Sequence, residues 1–264
     1  MTKPRIVALA NHKGGVGKTT TTINLAAALV GSGSRVLVID MDPQANSTTA
    51  LNPVVGDYTL AEVLTVDEMT RETVPGSAAA AIVPAGEAWP EGLFVLPGSI
   101  ASAAREGEQW EAREYRLSRA CEGVLGDYDY VLLDLPPSLA QLTINGLVLA
   151  DEVWVVTAPS LFSSKGIELL LATVTRVQRY NNPDLVIGTM IVNEYEGNRT
   201  ESQFRLGEVQ ESYPGMVYDP PCPRLAVIAK AGGAQHPLSA YGAEGRGAIE
   251  WYTTLARKKL AEAA

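Results

Sequence analysis

The run Lys13-Gly-Gly-Val-Gly-Lys-Thr-Thr20 constrains this 264-residue chain more than any other feature. It follows a continuous apolar stretch, Arg5-Ile-Val-Ala-Leu-Ala10, which reads as a buried parallel strand. It leads into Lys18 to Val30, a segment of helical character with Ile23, Leu25, Ala26 and Leu29 as its packed face. Gly31 and Gly33 end that helix, and Val36-Leu-Val-Ile-Asp40 reads as a second buried strand. The opening segment is thus one β-α-β unit, for which a right-handed crossover is expected.

A glycine-rich turn between a strand and a helix can grip phosphate. Gly14, Gly15 and Gly17 let successive backbone N–H groups turn toward one anion, and Val16 and Thr20 complete the cradle. The helix starting near Lys18 adds the positive end of its dipole. Lys18 offers a point charge to the β- and γ-phosphates, and the Thr19 hydroxyl suits Mg²⁺. The usual pattern Gly-x-x-x-x-Gly-Lys-[Ser/Thr] is met only in its core, because His12 stands where the first glycine belongs. Lys13 is a second lysine at the loop entrance, surplus to holding the phosphates of its own chain.

Beyond this unit, strands are expected at Leu93–Leu96, Tyr130–Asp134, Glu152–Val156 and Leu185–Val192. Helices are expected over about 58–64, 99–125, 139–150, 166–180, 201–212 and 247–262. Val74 to Gly92, rich in Ala, Pro and Gly, reads as loop; the stretch from about 44 to 97 is the least legible, and within it no structure is assigned to about 66–92 beyond that loop. Strands alternating with helices predict one α/β domain over residues 1–264, a doubly wound, mostly parallel sheet with helices on both faces. Such sheets bind ligands beyond the carboxyl ends of their strands. Asp42 and Asp134 each follow a strand and fall at that edge, where a hard Mg²⁺ ion finds oxygen ligands. For Asp40 a structural role is equally expected.

Composition excludes several classes. No stretch approaches the roughly 20 apolar residues of a membrane span, and the N-terminus lacks the h-region of a signal peptide. Two distant cysteines, Cys121 and Cys222, give neither a disulfide scaffold nor a zinc spacing. A cytoplasmic protein is expected. The net charge of −9 is uneven: from Arg224 onward six basic residues face three acidic ones, so that part is +3 and the remainder −12. Such a basic end is commonly only a solvated face.

Lys13-Gly-Gly-Val-Gly-Lys-Thr-Thr20 resembles the deviant Walker A box of the ParA/MinD family of partition and positioning ATPases. The likeness continues through Val38-Ile-Asp-Met-Asp-Pro-Gln-Ala-Asn46, Val131-Leu-Leu-Asp-Leu-Pro-Pro-Ser138 and Leu142-Thr-Ile-Asn145, and is weak only between about residues 52 and 92. The resemblance implies a P-loop ATPase using ATP and Mg²⁺. Lys13 would reach the partner's phosphates across an ATP-bridged homodimer. Lys13, Lys18 and Asp42 would be catalytic, Asp42 orienting the attacking water. Asp134 would hold a Mg²⁺-bound water beside Thr19. Pro43 and Pro136-Pro137 fall in the family's two switch segments. Asn193 aligns with an adenine-contacting position, and Pro220 and Pro221 with the segment that packs on the base.

The partition branch of the family binds nonspecific DNA as an ATP dimer. Arg224 and Arg246 match its basic positions, although Ala226 to Gln235 departs from the family and reads as a short insertion. The resemblance implies slow hydrolysis stimulated by a ParB-like or adaptor protein, nucleoid association, and partition of a plasmid or chromosome. The alternatives are the same cycle positioning a protein organelle or cluster, or a nucleotide-dependent scaffold without turnover. The last helix carries Ile249, Trp251, Leu255 and Leu260 and is expected to pack on the core rather than bind membrane. No N-terminal helix-turn-helix is expected.

Overall fold

The computed structural model describes residues 3–67, 69–70, 72–109, 111–159 and 163–261. In chain order the strands are β1 (Arg5–Ala10), β2 (Val36–Asp40), β3 (Val83–Pro84), β4 (Leu93–Leu96), β5 (Tyr130–Asp134), β6 (Glu152–Thr157) and β7 (Val186–Val192). The α-helices are α1 (Lys18–Gly31), α2 (Asn46–Leu51), α3 (Leu60–Val63), α4 (Arg116–Ala120), α5 (Gln141–Leu149), α6 (Ser163–Tyr180), α7 (Thr200–Ser212), α8 (Ala226–Gly233) and α9 (Gly242–Ala256).

The described strands form one seven-stranded sheet in the order β3-β4-β2-β5-β1-β6-β7. All pairings are parallel except the short edge strand β3, which runs antiparallel to β4. Successive side chains of a strand point to opposite faces, and the core divides accordingly. Ile6, Ala8 and Ala10 of β1, with Leu37 and Ile39 of β2, pack beneath residues of α4, α5, α6 and α7. Val7 and Leu9, with Val36 and Val38, pack beneath α1 and α9. Both faces are covered, which is why these strands read as unbroken apolar runs. The doubly wound arrangement is the one expected.

Ile23, Leu25, Ala26 and Leu29 of α1 are buried as predicted. So are Trp251, Leu255 and Leu260 near the chain's end, in the same cluster as α1. Among the described residues no helix is long and apolar enough to cross a membrane. The last helix starts earlier than predicted, at Gly242, and continues as a π-helical turn over Arg257–Ala261.

The helix expected over 99–125 is not formed. Among its described residues that stretch holds 3₁₀ turns at Ile100–Glu106, Arg113–Tyr115 and Leu125–Asp127, with only α4 as α-helix. Ala112 and Gly123 take left-handed backbone conformations (φ 52° and 72°), which no continuous helix accommodates. Within the predicted loop Val74–Gly92, a 3₁₀ turn (Ser77–Ala80) and β3 are present. The predicted insertion after Arg224 is α8.

Candidate nucleotide site

The parallel register sets Asp40 of β2 directly opposite Asp134 of β5, at the carboxyl edge of the sheet, and the loop from β1 to α1 leaves from the same edge. Asn11 anchors that loop. Its Nδ2 donates to the Val156 carbonyl of β6 (2.7 Å), and its Oδ1 accepts from the Lys13 amide (2.9 Å). Gly15 and Gly17 have φ of 70° and 86°, so the turn needs glycine there. A Cβ on Gly17 would stand 2.6 Å from Asn193 Nδ2.

Asn193, just past β7, locks the far end of the loop. Its Nδ2 donates to the carbonyls of Val16 (3.0 Å) and Gly17 (3.3 Å) and to the Thr21 hydroxyl (2.9 Å). Its Oδ1 is buried and has no hydrogen-bond partner among the described residues. The donor half of the amide, expected to face a base, is therefore committed to the loop.

Helix α1 begins on Gly17 with no side-chain cap and no acidic residue in its first turn. Its leading N–H groups keep their capacity for an anion. Lys18 is only 7% exposed, and its Nζ donates to the Lys13 carbonyl (3.4 Å). Burial lowers its pKa from the ordinary lysine value, against the opposing charges of Asp134 and Asp42.

Asp134 is a hydrogen-bond hub beside the loop. Its Oδ2 accepts from the hydroxyls of Thr19 and Ser47, each at 2.7 Å, while its buried Oδ1 has no partner among the described residues. Burial pushes its pKa up to about 6, against the two hydroxyl bonds. Asp40 is pushed up to about 7 by burial and then by the charge of Asp134. Its Oδ2 accepts from the amide and hydroxyl of Thr48 (both 2.7 Å), and that hydroxyl accepts from the Gly98 amide (2.8 Å). Asp40 thus has the structural partners of a clamp. Asp42 Oδ1 accepts from the Gln44 amide (2.9 Å), and Ala45, at φ 53°, turns the chain into α2.

Two adjoining cavities form the cleft. The phosphate side, about 560 Å³, is lined by Gly14, Gly15, Lys18, Thr19, Asp42 and Pro137, among others. The second, about 540 Å³, shares Gly17, Thr20, Glu194, Ile228 and Ala229 with the first and is closed by Cys222, Pro223 and Arg224. These sizes suit an organic ligand. The uncapped helix start, the buried amine of Lys18 and the orphaned Asp134 oxygen fit a polyphosphate with a hard divalent cation.

The structure brings Gly14, Gly15, Val16, Gly17, Lys18, Thr19, Thr20, Asp42, Asp134 and Asn193 to one place. Lys13 stands half-buried at the loop entrance. Pro220 and Pro221 are not in the cleft lining. The Pro220 carbonyl accepts instead from Trp251 Nε1 (3.0 Å), and Cys222 to Leu225 take the wall. Arg224 lines the second cavity and pairs with Glu196 (3.4 Å), whereas Arg246 is exposed on α9. The structure adds Asn11, Ser47, Thr48 and α8, which sequence reasoning does not single out. The asparagine beside a phosphate-loop turn and the Ser-Thr pair after Asp42 are the available signals.

The family model described as an AAA domain matches residues 4–187. The sporulation initiation inhibitor protein Soj of Bacillus subtilis is 34% identical over 261 residues, covering 97% of this chain and 98% of that protein. The chromosome partitioning protein ParA of Caulobacter vibrioides is 34% identical over 267 residues, covering 97% and 94%. The chain belongs to the Soj/ParA family of P-loop ATPases. A solved structure of cobyrinic acid a,c-diamide synthase from Mycobacterium smegmatis, with bound ADP and magnesium, has a TM-score of 0.75 at 33% identity, covering 96% of this chain and 94% of that one. The ATP complex of a Cyanothece McdA variant has a TM-score of 0.81 over 99% and 98%, and at 19% identity it shares the fold of this Soj/ParA chain.

Proposed function

We propose that this protein is a partition ATPase. It binds ATP with Mg²⁺, closes into an ATP-bridged homodimer, associates with nonspecific DNA and is reset by partner-stimulated hydrolysis. The observation that carries the reading is the near full-length likeness to Soj and ParA, joined to a phosphate loop whose entrance residue is Lys13. A bound nucleotide would lay its phosphates along the Gly14–Thr20 amides and Lys18. Thr19 and Asp134 would hold the cation, which supplies charge neutralisation at the phosphates. Asp42, on the phosphate side of the cleft, would orient a water.

The M. smegmatis synthase, solved with a bound ATP analog and magnesium, has nucleotide binding in common with this reading. The partition reading is preferred because it employs Lys13, which an ATP site contained in one chain does not need. Lys13→Ala tests it. The variant should bind ATP but remain monomeric on size-exclusion chromatography with ATP and Mg²⁺, with hydrolysis near background. A dimer at wild-type concentration would overturn the sandwich. The DNA surface is tested with Arg224→Glu and Arg246→Glu at two salt concentrations. For each arginine that neutralises a DNA phosphate, the reversal should reduce the slope of log affinity against log salt by about 0.9. Unchanged binding in both variants would remove this surface from the proposal.

A further inference from the structure

Arg116, in α4, is only 4% exposed. Its Nη1 donates to Glu108 Oε2 (2.5 Å) and to the Leu64 carbonyl (3.5 Å). The other edge of the guanidinium, Nε and Nη2, is closed to solvent and has no hydrogen-bond partner among the described residues. The same holds for the Thr73 hydroxyl, on a residue also 4% exposed, and for Nε of Arg119. These three residues line one cavity of about 190 Å³, with Val66, Ala112 and Tyr115 as apolar wall and Glu72 and Glu111 completing it. The cavity shares no lining residue with the nucleotide cleft.

Nearly all buried polar atoms in folded proteins are hydrogen-bonded, and an unpaired buried charge is the costliest exception. Here the orphans are three guanidinium N–H groups, which can only donate, and one hydroxyl, which can donate, so what satisfies the arginines must accept. The Nε and Nη2 hydrogens of an arginine run side by side and match the two oxygens of a carboxylate. Glu108 is shared by Arg105 and Arg116 and already occupies Nη1 of Arg116, which leaves the Nε–Nη2 edge to a second acceptor. Arg119 pairs with both Glu72 (2.6 Å) and Glu122 (3.8 Å). Glu111 is exposed and opposes an anion, so it is the open guanidinium edge and not a surplus of positive charge that selects the ligand. The volume equals about six waters, too little for a nucleotide.

We propose that this cavity binds a small organic carboxylate. Its oxygens lie on Nε and Nη2 of Arg116, the Thr73 hydroxyl donates to one of them, and its apolar body rests on Val66 and Tyr115. The Glu72–Arg119 pair, more exposed than Arg116, parts to admit it.

The test titrates the full chain, ¹⁵N-labelled, with sodium acetate and sodium benzoate. Benzamide serves as the uncharged isostere and inorganic phosphate as the competing oxyanion. The acids should bind saturably in the millimolar range, with amide shifts centred on residues 66, 72–73 and 112–119. Benzamide should bind at least about tenfold more weakly, the loss expected for a charge-assisted hydrogen bond. Thr73→Val keeps the shape and the arginine pairs, and should weaken benzoate about tenfold. It serves as the test if Arg116→Gln, which also releases Glu108, fails to fold. The proposal is overturned by shifts confined to Gly14–Thr19, by equal binding of benzamide and benzoate, or by phosphate alone moving the region. Undiminished binding to Thr73→Val overturns the assigned contact.

Discussion

Replacing Gly17 with alanine should cost far more in the wild-type chain than in a chain that lacks the Asn193 side chain. Gly17 sits at φ 86°, where an L-residue pays about 1–2 kcal/mol. The added Cβ would also stand 2.6 Å from Asn193 Nδ2, so the amide must leave. That breaks its bonds to Val16, Gly17 and Thr21. At about 1 kcal/mol per hydrogen bond, the loss is about 2–3 kcal/mol for two protons reaching three acceptors. Gly17→Ala alone should therefore cost about 3–5 kcal/mol, and Asn193→Ala about 2–3 kcal/mol. In the Asn193→Ala background the bonds are already gone and the obstacle is absent, so Gly17→Ala should add only the backbone cost of about 1–2 kcal/mol. Urea unfolding of the four proteins measures the coupling as a double-mutant cycle. Additivity within about 0.5 kcal/mol would show that Asn193 does not lock the loop.

Ser47→Ala removes one of two hydroxyl donors to the buried Asp134. It should cost about 1.5–3 kcal/mol in urea and raise the Mg²⁺ concentration needed for half-maximal nucleotide binding; no change in either would make Ser47 a bystander. Stability without nucleotide should fall as pH rises from about 4 to 7, because Asp40 and Asp134 are held above their ordinary value of 3.8. A raised folded-state pKa gives stability that is complete below the unfolded value and lost through the folded one. Glu108 acts in the opposite sense at lower pH: burial raises it, but bonds from Arg116 and Arg105 outweigh that and hold it below the ordinary range. A urea midpoint that climbs steadily from pH 5 to 7 would contradict the assignment to the aspartates.

Most of the sheet is legible because its strands are buried on both faces and spell themselves as apolar runs, as in Val36–Asp40 and Tyr130–Asp134. The stretch 99–125 misleads because its residue types suit a helix. The chain breaks there at single positions: Gly123, which as a glycine takes a left-handed backbone readily, and Ala112, whose residue type gives no such signal. Helix α8 hides behind a departure from family spelling that reads as an insertion. Its own sequence, Ala-Val-Ile-Ala-Lys-Ala, is ordinary helix with Val227 and Ala231 turned inward.

The phosphate half of the cleft is legible for a local reason: its donors lie within eight consecutive residues, and a glycine-rich loop can only turn in a few ways. The base half is assembled from Asn193, Cys222 to Leu225 and α8, which meet only through the fold. No spacing in the sequence measures such a meeting, so residue types stand in for geometry. Pro220 therefore reads as a base contact, although its carbonyl holds Trp251. The whole Asn193 amide reads the same way, although its Nδ2 grips the loop. Arg224 shows the consequence for function. Because it lies against the cleft and pairs with Glu196, a charge reversal there would disturb the cleft as well as any proposed DNA contact. A DNA defect in Arg224→Glu therefore counts as a surface contact only when ATP affinity is unchanged. Arg246, exposed on α9 and outside the cleft lining, tests the proposed DNA contact without touching the cleft.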